Sequence, residues 1–170
     1  MEASDSKSAS KHVFSKVFFD YHQFLEVAEI IHNYPMEYEL SVLGRTSKLF
    51  PAQGKDSIGN GKTVQNHIQE LTAIGSKFNS YFNPEIVHIF IIGPLSSIFL
   101  NDLEGKSLGA LSMGPYGILR GLGISRKMAN AHLSALKKGG YLLIVRGFED
   151  QLEDLKNLLE LGRFNRIALH

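Results

Sequence analysis

The 170-residue chain contains no cysteine and no tryptophan. Without thiols it can hold no disulfide framework, no thiolate nucleophile and no zinc–thiolate site. Charge of one sign is also missing, since 18 basic residues stand against 17 acidic ones and leave a formal net charge of +1. That balance gives no general pull toward nucleic acid or anionic lipid. A long apolar run is absent too. The best stretch, 86–100, falls short of the ~20 residues a spanning helix needs and carries His88, Gly93 and Pro94. The first residues, MEASDSKSASK, have no apolar stretch of the secretory kind, so cytoplasmic residence is the expectation.

What is present is a core. Hydrophobic residues make up 44% of the chain, with eleven phenylalanines and six tyrosines, enough for one folded domain. Residues 1–12 read as a flexible arm and 13–170 as a single α+β domain. Residues 13–19 (VFSKVFF) predict a strand, and Asp20 a cap for a helix running to residue 33. Residues 38–43 predict a second strand closed by Gly44. A loop and helix insert covers 45–83, its helix placed at 62–82 on the spacing of Val64, Ile68, Leu71, Phe78 and Phe82. The nearly continuous apolar run 86–92 predicts a buried strand. Ser125 caps a helix to residue 138, with Gly139 suited to its left-handed end. A strand at 141–145, a helix at 149–162 and a last strand at 164–169 complete the order. Two strand–helix–strand halves predict a ferredoxin-like sandwich, an antiparallel sheet with its helices on one face.

Within the second half lies residues 105–123, GKSLGALSMGPYGILRGLG, part of an apolar glycine-rich helical hairpin predicted over 93–123. Small residues recur four apart: Gly105 and Gly109, Ala110 and Gly114, Gly117 and Gly121. On a helix this spacing strips side chains from one stripe and lets another backbone approach. Each interior glycine destabilises a helix by about 0.5–1 kcal/mol against alanine, so close packing is expected to offset it. Pro94, Leu95, Gly105, Gly109, Gly114, Gly117 and Gly121 are therefore candidate self-association residues, making the partner a second copy of the chain. A membrane surface meeting the same hairpin is the alternative partner.

The pieces SVLGR (41–45), GPL (93–95), GLGIS (121–125) and KKGGYLLIV (137–145), in that order, resemble the bacterial heat-induced or general stress protein domain. The resemblance covers most of the chain from residue 13. It implies a stress-associated, non-catalytic and oligomeric domain, with no cofactor to carry over.

Other patterns match the signatures of chemistry only in part. DSIGNGKT (56–63) approximates a phosphate-binding loop in Gly61, Lys62 and Thr63, but Asp56 stands where the first glycine belongs. Those three residues remain a candidate anion site at a helix start, with nucleotide binding as the remote alternative. The seven histidines are scattered, and none forms H-E-x-x-H, so no metal is expected. His88 and His132 read as core or interface histidines. The carboxylate pairs Glu149/Asp150 and Glu153/Asp154 suit a helix N-terminus. Arg120, Arg126, Lys127, Lys137 and Lys138 read as a solvated face, since the aromatic–glycine pattern of RNA-binding sheets is missing. Nucleic acid is not an expected partner.

Overall fold

The computed structural model describes residues 11–34, 37–48 and 78–169, with side chains described as far as residue 160. Strand β1 (Lys11–Phe18) leads into helix α1 (Tyr21–Asn33), where the Asp20 carboxylate accepts from the N–H groups of His22 and Gln23. Phe24, Val27, Ala28 and Ile31 form the buried stripe of α1. Strand β2 spans Tyr38–Arg45, and β3 (Phe78–Asn83) turns tightly into β4 (Val87–Ile92). After a four-residue helix, α2 (Ser96–Phe99), a small hairpin pairs β5 (Asp102–Leu103) with β6 (Lys106–Ser107). A 3₁₀ turn (Leu108–Ala110) then leads to α3 (Gly114–Gly121) and α4 (Arg126–Lys137). Strand β7 (Tyr141–Phe148) and the long helix α5 (Glu149–Leu169) follow. Ser125 caps α4 as its sequence predicts, its Oγ accepting from Met128 N–H at 3.2 Å.

The main sheet is five-stranded, antiparallel throughout, in the order β1-β7-β2-β4-β3. Two strand–helix–strand units interlock in it. The β1–α1–β2 unit is split by β7, and the unit running from β4 through α2, α3 and α4 to β7 is split by β2. The mixed α+β class read from the sequence is what the chain adopts.

The helices, however, lie on both faces rather than one. Leu40, Val42, Phe90, Ile92, Leu143 and Val145 point to one side and pack with α1 and α5. Their neighbours Leu43, Ile89, Ile91, Leu142 and Ile144 point to the other and pack with α2, α3 and α4. The period of two in a strand sends alternate residues to opposite faces, so both cores draw on the same strands. That explains why YLLIV and IVHIFII are apolar almost without break: such strands are covered on both sides. Viewed along their own strands, the two crossovers step across the sheet in the same sense yet carry their helices on opposite faces. They are therefore of opposite hand, an uncommon arrangement.

Other elements depart from expectation. Phe78–Asn83 is a strand, not the end of a helix, because its aromatic residues pair one-to-one with β4. The rest of the predicted 62–82 helix lies outside the described residues. Residues 164–169 continue α5 rather than forming a strand. A single glycine at 162 is tolerated inside a helix for about 1 kcal/mol. Gly44 does not close β2; it lies within the strand, where the Phe90 ring occupies the space its side chain would need. Lys11 and His12 belong to β1 rather than to an arm.

Candidate interaction site on helix α3

The glycine-rich segment is not one continuous helix, so its glycines separate into different environments. Gly105 turns the β5–β6 hairpin and has nothing near it. Gly109 is buried in the 3₁₀ turn, where a Cβ would lie 2.8 Å from the Tyr81 hydroxyl and 2.9 Å from the Phe99 ring. Gly114 begins α3 directly over the Leu108 carbonyl oxygen, which any Cβ there would overlap. Gly117 and Gly121, one turn apart on α3, are exposed, and a Cβ on either would have no atom within 4 Å. Leu95 is buried under the sheet, and Pro94 is exposed at the turn before it. The seven candidate residues thus do not form one stripe; Gly114, Gly117 and Gly121 line a common surface, and the other four lie elsewhere.

That surface is an open groove of 530 Å³ bordered by Ile98, Leu108, Leu111, Ile118 and Leu122. Its rim carries Met113, 66% exposed, and at its far end Arg146, which lies 3.7 Å from Glu39. Glu39 also meets Lys11 at 3.4 Å.

The floor on which the groove rests is organised by Asn83, which is fully buried. Its amide nitrogen donates to the carbonyls of Gly109 (2.8 Å) and Leu111 (3.1 Å). Its carbonyl oxygen accepts from the N–H groups of Glu85 (2.8 Å) and Ile86 (3.1 Å). One side chain thereby fixes the β3–β4 turn and the loop leading to α3. In the sequence Asn83 reads only as a helix stop. The signal for more is the Asn-Pro-Glu run, since an asparagine commonly bonds the backbone two residues on. The Tyr81 hydroxyl beside Gly109 is buried with no hydrogen-bond partner among the described residues, and burial raises its pKa.

The residues of the resembled motifs meet in the fold as well. Ser41 Oγ accepts from Leu95 N–H at 3.0 Å. Gly93, at φ +115°, presses against Leu40 and Ser41, where no side chain fits. Arg45 donates to the Lys137 carbonyl at 3.0 Å, satisfying the end of α4. These pieces hold α2 and α4 against the sheet.

The other candidates have local explanations. His132 is buried, with Nε2 2.8 Å from Ser15 Oγ, and burial holds its imidazole below the ordinary histidine range. His88 is exposed, not in the core, with its ring edge-on to Phe82. Lys137 pairs with Glu85 at 3.4 Å, and Arg120, Arg126, Lys127 and Lys138 are exposed. Glu149 and Asp150 open α5 as expected. No group of three metal-ligating side chains and no helix long and apolar enough to cross a membrane occurs among the described residues. Gly61, Lys62 and Thr63 lie outside them. Comparison with family models, with curated proteins and with solved structures finds no match to this chain.

Proposed function

We propose that this chain is a non-enzymatic interaction domain, of the stress-associated kind its motifs resemble, which binds a second copy of itself through α3. The observation that carries the reading is the pair Gly117 and Gly121, exposed and with nothing within 4 Å of where a side chain would begin. Gly109 and Gly114 have steric reasons inside the chain; these two have none. Gly117, inside the helix, lowers its stability by about 0.5–1 kcal/mol, a loss that close approach of an outside backbone would offset. The apolar groove beside them and the exposed Met113 at its rim supply a pocket and a knob on one surface. A surface that carries both suits two-fold, self-complementary pairing.

The test is solution mass by light scattering across a concentration series for the native chain and Gly117→Leu/Gly121→Leu. The native chain is expected to exceed one chain mass and the variant to lose part of that excess. Equal masses at every concentration would remove the reading. Flotation with phosphatidylcholine or phosphatidylserine vesicles, abolished by the same substitutions, would instead assign the groove to a membrane surface.

A further inference from the structure

We infer that the α3 groove is also a small-molecule site. It takes a single-chain amphiphile with a carboxylate head, the head on Arg146 and the hydrocarbon along α3, and the bound ligand displaces the second copy of the chain. The displacement rests on the self-association proposed above; the ligand site does not.

Arg146 reaches the groove because of strand geometry. Leu142 and Ile144 of β7 pack toward α2, α3 and α4, and Arg146, two residues on, points to that same side. Its neighbours across the sheet are Val13 of β1 and Glu39 of β2. Here the apolar face gives way to charge. Glu39 lies 3.4 Å from Lys11 and 3.7 Å from Arg146, so one carboxylate serves two cations. No other carboxylate is within ion-pair distance of either cation among the described residues. With its existing pairs counted, the cluster therefore carries one excess positive charge. The Arg146–Glu39 separation is also longer than a hydrogen bond, so that contact leaves the donors of the guanidinium fork unengaged.

The groove itself states what the rest of the ligand must be. Among the described residues Arg146 is the one charged side chain that lines it, and Ile98, Leu108, Leu111, Ile118 and Leu122 make its walls. A cation at one end of an apolar trough selects a molecule with one anionic end and an apolar remainder. A single excess charge suits a carboxylate better than a phosphomonoester of charge about −1.5 to −2. The planar fork of arginine also matches a carboxylate through two parallel hydrogen bonds. The volume, 530 Å³, falls in the roughly 300–1,000 Å³ range of small-molecule sites. Helix α3 has eight residues. It is about 12 Å long, the span of an extended chain of roughly ten methylene groups. At Gly117 and Gly121 the bare backbone lets that chain lie against the helix. A ligand so placed fills the space the second copy would use, and each occupant lowers the apparent affinity of the other.

The test is calorimetric titration at neutral pH with dodecanoate kept below micelle formation, against dodecyltrimethylammonium and acetate. Dodecanoate is expected to bind one per chain and about tenfold tighter than the cationic amphiphile, and acetate not measurably. Arg146→Gln should erase that preference, and Gly117→Leu/Gly121→Leu, which fills the groove from its surface, should abolish binding of both amphiphiles. In light scattering, saturating dodecanoate is expected to return the native chain to one chain mass, and Arg146→Gln to need about tenfold more for the same effect. Dodecanoate binding no tighter than dodecyltrimethylammonium, or equal in the native chain and both variants, would overturn the site. Binding that leaves the native mass above one chain would overturn the displacement. A native chain of one mass without ligand removes the self-association reading and the displacement with it, and the titration decides the site on its own.

Discussion

At the scale of single residues, one buried side chain holds much of the backbone beneath helix α3. Asn83 fills four hydrogen-bonding positions at once, all on buried or half-buried backbone groups. Replacing it by alanine leaves those groups without their partner, and unpaired buried polar groups each cost about 1–3 kcal/mol. Asn83→Ala is expected to lower unfolding stability by about 3 kcal/mol in urea titration; a loss under about 0.5 kcal/mol would show that the turn re-forms without it. His132 gives a pH signature. Its folded-state pKa is depressed by burial, so the unfolded chain binds the proton more readily. Stability is then fully present above the unfolded value near 6.5 and falls as pH drops below it. The melting temperature measured from pH 7.5 down to 5 should decline in the native chain, and less steeply in His132→Gln. Identical slopes would show that the imidazole is not desolvated. Neither residue's role could be taken from the sequence alone. A histidine on the inward face of the helix was legible, but its partner Ser15 is 117 positions away.

At the scale of elements, local signals were reliable where local physics decides. Asp20 and Ser125 cap the helices they precede, and Gly139, at φ +94°, ends α4 in the left-handed region. They failed where pairing decides. Phe78 and Phe82 fit a helical spacing, yet the partner β4 makes that stretch a strand. Residues 164–169 resemble a strand, yet they continue α5. The glycine stretch shows the same division. Its four-residue spacing is visible in the sequence, but a hairpin and a 3₁₀ turn break it, so Gly109 and Gly114 serve contacts inside the chain while Gly117 and Gly121 do not. Substitution by alanine should separate the two classes. Gly114→Ala drives a methyl into the Leu108 carbonyl and should destabilise by about 2 kcal/mol or more. Gly117→Ala, inside the helix, meets open space and should stabilise the isolated chain by about 0.5–1 kcal/mol. Thermal unfolding at low protein concentration reads both signs, and a destabilising Gly117→Ala would mean that the site is already occupied within the chain.

At the scale of the whole molecule, the bare face of α3 and the apolar groove beside it are the surface on which the proposed self-association turns. The amino-acid order alone determined that thiol chemistry is unavailable, where most elements begin, and that an apolar strand lies at each of 86–92 and 141–145, because composition, capping and hydrophobic pattern act over a few residues. Only the tertiary structure decided that helices cover both faces of the sheet, that β1 is left at the rim, and which glycines are packed and which are bare. Those outcomes depend on which distant segments come to lie side by side, and no short-range pattern in the chain encodes that choice.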